Sequence, residues 1–159
     1  MRLLTFTSLY PHPEKPTHGI FVETRLRHLL ASGEAQSRVV APVPWFPLNH
    51  PVFGRYAGYA RIPVAERRHG IDVLRPRFPV IPRVGMGAAP ALLAAGARRT
   101  VGDILDANGF DVIDAHYFYP DGVAAAMLGR YFNKPVVITA RGSDISLIPA
   151  YRVARGQIV

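Results

Sequence analysis

Three short segments of the sequence carry residue types that suit the binding or transfer of an anionic ligand. His18 and Gly19 precede an apolar stretch with helical spacing, and His116 ends the short apolar run Asp111–His116. Arg141–Asp144 combines a cation, a glycine, a hydroxyl and a carboxylate within four residues. Histidine titrates near neutral pH, arginine holds phosphate or carboxylate through paired hydrogen bonds, and glycine lets a ligand approach the backbone closely.

Each segment also has a structural interpretation, which the sequence leaves open. Gly19 would either place helix N–H groups near a phosphate or simply serve a turn. His116 would bond a substrate hydroxyl or phosphate, or it would be a core histidine bonded to a carbonyl. Arg141–Asp144 would line a ligand site or form a polar turn that caps a helix. Asp121 is interpreted as a favourable charge at a helix N-terminus.

Strands and helices alternate along the chain and must position these segments. Short apolar runs predict the buried strands, which are Leu3–Phe6, Val39–Ala41, Ile71–Arg75, Val112–Ala115 and Val136–Ile138. Helical spacing predicts helices after Gly19, over Ala88–Ala107 and from Pro120, the last with an apolar face of Val123, Met127 and Tyr131. We therefore expect an open α/β fold with a parallel sheet, in which the three segments converge beyond the carboxyl ends of the strands.

Composition and charge limit the kinds of ligand and catalytic group that we expect. The 159 residues carry a formal net charge of +8, and arginine supplies 17 of the 19 basic side chains. This excess favours an anionic ligand, although a compositional bias toward arginine would produce it as well. The absence of cysteine excludes disulfides, a cysteine nucleophile and thiolate metal sites. The six histidines lack metal-binding spacing, and Gly85–Pro90 lacks the third glycine of a dinucleotide loop, so no metal or cofactor is expected.

Other stretches bear on organisation and location. Pro42–Pro63 is rich in proline and aromatic residues and predicts a long loop, and Arg67–Gly70 predicts a turn. Tyr151–Val159 has helical spacing without a cap, which favours a domain truncated at its C-terminal end. No stretch reaches the roughly 18 apolar residues that a membrane span needs, and the start lacks a signal-peptide pattern, so a cytoplasmic location is expected.

Two segments together resemble the N-terminal half of a retaining family-4 (group 1) glycosyltransferase of the GT-B fold. TFTSLYPHPEKPTHGIFVETRLRHL resembles the family's first strand, glycine loop and first helix. DVIDAHYFYPDGVAAAMLGRYFNKPVVITARGSDI resembles its later strand–histidine–helix–strand–loop segment. Many members have two glycines where this chain has His18-Gly19, and a histidine where it has Arg141. Members that build bacterial exopolysaccharides or other envelope glycans look most similar.

The resemblance implies two Rossmann-like domains that face a cleft. Residues 1–159 would form the N-terminal, acceptor-side domain, and the nucleotide-sugar domain would lie outside this chain. The implied reaction is metal-independent transfer from a nucleotide-sugar to a glycan or lipid-linked acceptor with retention, and this chain alone would be inactive. The implied catalytic residue is His116, and the implied substrate or donor contacts are His18, Gly19, Arg141, Gly142, Ser143 and Asp144.

Two other functions are compatible with the residues. A non-catalytic basic α/β module would bind an anionic membrane or nucleic acid, although the arginines are dispersed and no nucleic-acid motif occurs, so nucleic acid is not expected. A small phosphosugar enzyme would be complete in itself. A lipid-linked acceptor would bring the protein to the inner face of an anionic membrane, where the expected contacts are Arg67, Arg68, Arg75, Arg77 and Arg83.

Overall fold

The chain adopts a Rossmann-like α/β fold in a computed structural model that describes residues 1–45, 55–80 and 85–140 and, singly, Gly142, Asp144 and Gly156. The strands are β1 (Arg2–Phe6), β2 (Gln36–Val40), β3 (Val43–Trp45), β4 (Ala65–Arg68), β5 (Ile71–Leu74), β6 (Arg77–Pro79), β7 (Val112–His116) and β8 (Val136–Thr139). The helices are α1 (Ile20–Ala31), α2 (Arg55–Ala60), α3 (Gly85–Ala107) and α4 (Val123–Phe132), and a short wide turn, Phe118–Gly122, precedes α4.

Six strands form one sheet in the order β4-β5-β2-β1-β7-β8. Neighbouring strands run parallel except β4 and β5, which form an antiparallel hairpin. β1 is central, with Leu4 opposite Arg38 of β2 on one side and Ile113 of β7 on the other. β3 and β6 form a separate parallel pair. The predicted parallel sheet is confirmed, and β1, β7 and β8 end side by side at one edge.

Different helices cover the two faces of the sheet. α1 packs through Val22 and Leu26 on one face, and α3 and α4 cover the other face with the larger apolar core. Successive residues of a strand point to opposite faces. Ala115 of β7 therefore lies in the α3/α4 core, whereas Asp114 and His116 face α1.

Helix α4 buries a different face from the one predicted. Met127 and Tyr131 are exposed, whereas Ala124, Ala125 and Leu128 are buried. The prediction of a Val123, Met127 and Tyr131 core face is therefore wrong. Two adjacent alanines let the helix approach the sheet closely, so the bulky side chains turn outward.

Strand β8 lies where the sequence predicts it, but the prediction that it is buried is wrong. Val137 is 56% exposed, and Val136 and Ile138 are half-buried. Val137 pairs in register with Asp114 and therefore faces the α1 side of the sheet. The apolar contacts of α1 on that side are with β2 and β5, so they leave Val137 uncovered.

The middle of the chain is more regular than predicted. β3 and α2 interrupt the expected Pro42–Pro63 loop, and Arg67 and Arg68 lie in β4, ahead of a tight His69-Gly70 turn. α4 begins at Val123, after the wide turn. Residues 46–54 and, apart from Gly156, the Tyr151–Val159 stretch lie outside the described residues. None of the described helices is both long and apolar enough to cross a bilayer.

Candidate functional site

The loop between β1 and α1 closes tightly on itself at Gly19. This glycine is buried, has a left-handed backbone with φ 64°, and packs against the carbonyl of Leu9 at the start of the loop. Its own carbonyl accepts the N–H of Val22 at 2.9 Å, the first hydrogen bond of α1. A side chain at this position would need a strained backbone and would overlap Leu9. Gly19 therefore fixes both the shape of the loop and the start of the helix.

His116 ends β7 at the predicted edge, with its side chain fully buried on the α1 side. Its Nε2 lies 3.2 Å from Nη1 of Arg25 and 3.3 Å from Oδ2 of Asp114. Arg25 Nη1 donates to the same Asp114 oxygen at 2.8 Å. Burial raises the pKa of Asp114, but hydrogen bonds from His116 and Arg25 outweigh it and hold that pKa below its usual value.

This cluster constrains the chemistry of the imidazole. The Asp114 carboxylate can only accept a hydrogen bond at Nε2 and the Arg25 guanidinium can only donate one there, so the two partners fix the position of the ring edge without selecting one tautomer. Arg25 is 42% exposed at its side chain, so the cluster reaches from the sheet to the surface of α1. A catalytic role for His116 stays a prediction, and the same partners would serve a purely structural histidine.

The residue after His116 adopts an unusual backbone conformation. Tyr117 has φ 83° and ψ 121°, which a bulky side chain rarely adopts. Its N–H donates to the carbonyl of Thr139 at 3.1 Å, and its carbonyl accepts from Gly122 at 2.9 Å. Strain of about 1–3 kcal/mol is typical of such conformations and concentrates at functional sites. The strained backbone of Tyr117 therefore points to the end of β7 as a candidate site, without any argument from His116.

Asp121 lies at the N-terminal side of α4, as predicted, and it is also a buried link between two loops. Its Oδ2 accepts from the backbone N–H of Ser8 at 3.0 Å and from the Ser8 hydroxyl at 2.9 Å. The side chain is fully buried, and burial raises its pKa to about 7, although the bonds from Ser8 oppose the shift. The carboxyl therefore fastens the β1–α1 loop to the turn before α4.

The raised pKa of Asp121 predicts a specific pH dependence. A carboxyl whose folded-state pKa lies above its unfolded value stabilises the fold fully below the unfolded pKa, and this contribution is lost as pH rises through about 7. Asp121→Asn cannot ionise, so it should become more stable than the native chain between pH 4 and pH 8, by up to about 4 kcal/mol. Urea unfolding of both proteins across this range measures the difference, and a difference that does not change with pH would contradict the assignment.

A cavity of about 210 Å³ lies between the β1–α1 loop and the ends of the neighbouring strands. Its walls come from loop residues 8–12 and His18, from residues 41–44 after β2, from Arg75 after β5, and from Pro120. We call it the edge cavity. Ligands of open parallel sheets bind at this edge, so the edge cavity occupies the expected position.

Three buried polar atoms on residues that line the edge cavity have no hydrogen-bond partner within the part of the chain that the structure describes: Nδ1 of His12, Nη1 of Arg75 and the hydroxyl of Tyr10. His12 packs edge-on against His18, with ring centroids 5.7 Å apart. Burial, followed by the charges of His18 and Arg75, lowers the pKa of His12 to about 4. Burial and Lys15 also lower the pKa of His18. Both imidazoles are therefore neutral near pH 7.

The last predicted segment is only partly described. Asp144 is buried, and its Oδ2 accepts the N–H of Phe118 at 2.6 Å, which ties this segment to the turn after His116. Gly142 is exposed. Arg141 and Ser143 lie outside the described residues. The structure thus places His18, Gly19, His116 and Asp144 at one edge of the sheet, while their roles in binding stay predictions.

The basic surface expected for membrane binding is largely turned inward. Arg68 donates to buried Glu23 at 2.7 Å, Arg75 is 1% exposed, and Arg77 donates to the carbonyl of Tyr59 at 2.9 Å. Of the other two, Arg67 is exposed and Arg83 lies outside the described residues. Membrane attachment stays a prediction that the three inward arginines do not support, because they lie in or directly after β4–β6 and their side chains bond groups of the fold.

Sequence reasoning missed the side chains that complete the site. Arg25 meets His116 across 91 residues of sequence, and no local pattern indicates such a contact. The contact of Asp114 with His116 could have been predicted, because a residue two positions before His116 on a strand must lie on the same face of the sheet. Arg75 directly follows a strand, but it was predicted to lie on the surface because its side chain is charged.

The fold is a Rossmann-like α/β domain with a crevice at the carboxyl edge of its parallel sheet. The sequence is 33% identical over 154 residues to a protein of Bacillus subtilis (strain 168) named "Putative teichuronic acid biosynthesis glycosyltransferase TuaC". This match covers 95% of the chain and 39% of the relative. No family model matches the chain. The similarity agrees with the predicted resemblance to glycosyltransferases.

Proposed function

We propose that residues 1–159 form the acceptor-side domain of a glycosyltransferase of the GT-B type, family 4. The observation that carries the proposal is the 33% identity to a protein named as a glycosyltransferase, spread over 95% of the chain. The crevice supports it, because loop, strand ends and cavity occupy the edge where α/β sheets bind ligands. Since the chain spans only 39% of the relative, the nucleotide-sugar would be held mainly by a second domain outside these residues.

The proposed reaction is transfer of a sugar from a nucleotide-sugar to a glycan or lipid-linked acceptor of the cell envelope, with retention of configuration. The bond between the anomeric carbon and the donor diphosphate breaks, and the diphosphate leaves with the electron pair. A bond forms from an acceptor oxygen to the same carbon, and the acceptor hydroxyl loses its proton. No metal is proposed: cationic groups and the N-terminus of α1 would stabilise the leaving diphosphate instead.

The residues would divide this work by position. His116 would lie beside the transferred sugar, held by Asp114 and Arg25. Gly19 would keep the loop close enough for backbone N–H groups to approach the diphosphate. The edge cavity would receive part of the acceptor. The relative's name concerns teichuronic acid biosynthesis, so we propose an acidic envelope polysaccharide as the product class.

The test compares the 159-residue chain with the protein made from the complete reading frame that contains it. We expect radiolabelled sugar to pass from a UDP- or GDP-sugar to envelope lipid or glycan only with the longer protein. NMR of the product should show the anomeric configuration of the donor. Calorimetry should find weak or no nucleotide-sugar binding by the chain alone. Transfer from none of the donors, or tight donor binding by the chain alone, would contradict the proposal.

The alternative function, a non-catalytic basic module, predicts a different binding behaviour. Such a module would bind anionic vesicles or nucleic acid with an affinity that falls steeply as salt is raised. In the described part of the chain, many arginines lie in ion pairs or carbonyl contacts, which leaves less charge for such a surface. The transferase therefore remains the function that we propose.

A further inference from the structure

We infer that the edge cavity binds the oxyanion of a carboxylate or phosphate group, with Arg75 and His12 as its hydrogen-bonding partners. The inference rests on the proposed function only for the identity of the molecule that carries this group, which would be an acidic acceptor. The cavity's affinity for a free oxyanion stands on the geometry alone.

Arg75 supplies the main donor. Its guanidinium is 1% exposed, and Nη2 donates both to the carbonyl of Pro11 at 2.8 Å and to Glu66. Nη1 has no partner among the described residues. A buried N–H group without a partner costs about 1–3 kcal/mol, and more when it is charged. An arginine fixed on one side and unpaired on the other is therefore oriented to receive an acceptor.

His12 supplies the second polar contact. Its side chain lines the same cavity, is 6% exposed, and has an unpartnered Nδ1. The loop fixes its position, because the backbone groups of His12 and Lys15 bond each other at 2.9 and 3.3 Å. The ring edge against His18 holds the imidazole in place. Two preorganised polar groups, from different elements, thus line one small space.

The charges around His12 favour an oxyanion over a neutral hydroxyl. The positively charged neighbours of His12 near pH 7 are Arg75 and Lys15, and Glu14 is the opposing charge from its own loop. The Arg75 guanidinium is charged, so its hydrogen bond to an oxyanion is stronger than its hydrogen bond to a neutral hydroxyl. Glu66 takes up one amino group of Arg75, which leaves the other for a ligand oxygen. The unpartnered Nη1 of Arg75 therefore offers a ligand oxygen a charged donor.

The size of the cavity suits one such group on a small ring. About 210 Å³ corresponds to roughly seven water molecules at about 30 Å³ each. Apolar side chains of Ile62, Phe78 and Leu93 form part of the wall. Such a wall does not suit a free hydrated ion. A sugar ring that carries an acidic substituent combines both demands.

The experiment measures binding by NMR on the full 159-residue chain with three probes: glucuronate, glucose 6-phosphate and glucose. At least one of the two anions should shift the His12 ring resonances saturably, and the tighter anion identifies carboxylate or phosphate as the natural group. Glucose, which lacks the charge, should not do so at the same concentration. A bound anion should also raise the pKa of His12 above about 4, because it stabilises the imidazolium.

Matched variants locate the binding. Arg75→Gln and His12→Phe should each weaken the Kd, the first by about tenfold or more. Arg67→Gln is the control: it removes a positive charge from the same hairpin, but Arg67 is exposed, pairs with Asp72 and does not line the cavity, so its Kd should be unchanged. If Arg75→Gln does not fold, His12→Phe carries the comparison.

Three outcomes would overturn the inference. They are equal affinity for glucose and the anions, no saturable shift with any probe, or the same Kd in the cavity variants and in Arg67→Gln. No donor or transfer step enters the measurement. Failure here therefore leaves the proposed transferase standing, and absence of transfer would leave oxyanion binding standing.

Discussion

Gly19→Ala is expected to destabilise the chain by about 2–5 kcal/mol. Alanine in the left-handed conformation costs about 1–2 kcal/mol, and forcing a methyl group into a packed contact costs about 1–3 kcal/mol more. Both terms apply here, since φ is 64° and a Cβ would overlap the Leu9 carbonyl and lie 2.9 Å from the Tyr10 nitrogen. Urea unfolding measures the loss.

Gly33→Ala is the matched control for this change. Gly33 also has a left-handed backbone, with φ 77°, but a Cβ there would meet nothing within 4 Å. Its loss should therefore be limited to the backbone term of about 1–2 kcal/mol. Similar losses in the two variants would show that the Leu9 contact relaxes easily, and that the loop is not held shut at Gly19.

His116→Ala is expected to abolish most of the proposed sugar transfer. Loss of a group that bonds the transferred sugar or a developing charge removes about 2–4 kcal/mol of transition-state stabilisation, or roughly 30- to 1000-fold in kcat. Because the side chain is fully buried beside Asp114 and Arg25, the same variant should also lose stability. Turnover is measured on the complete enzyme, and stability on the same protein.

His116→Gln separates the two effects. Its terminal amide reaches the place of Nε2 and can keep the Asp114 contact, but it cannot carry out imidazole chemistry. Under the catalytic hypothesis, glutamine restores the melting temperature toward that of the native protein and leaves kcat low. A variant that recovers both stability and turnover would show that His116 is a core histidine.

The sheet was predictable because its central strands are apolar runs buried on both faces. The strands at Val112–Ala115 and Leu3–Phe6 could be predicted because each is a short run of mainly apolar residues. The missed elements are short or polar: β4 is Ala-Glu-Arg-Arg, and it exists because the hairpin turn aligns it with β5. Helix α4 shows a different limit, since small residues decide its packing and residue type alone points to the larger ones.

Only the part of the site that follows from the order of strands and helices was predictable. His116 and Gly19 were found because a strand end and a loop before a helix are defined by the order of elements. The contact of His116 with Arg25 and the burial of Asp121 depend on contacts across about a hundred residues, which periodicity does not encode. Arg75 was assigned to the wrong environment for the same reason: its charge suggested solvent, and the fold supplied Pro11 and Glu66 instead.

The central place of β1 sets a condition on how the protein is made. β1 is complete at residue 6, but β7, which forms its second neighbour, begins at residue 112. At about 5–20 residues per second, the ribosome needs on the order of 5–20 s to bridge that interval. During this time β2 can cover one edge of β1, while the other edge keeps unpaired N–H and C=O groups beside the apolar side chains of Leu4 and Phe6. The nascent chain therefore carries an open strand edge until β7 has been made, the kind of surface on which chains mispair and chaperones act.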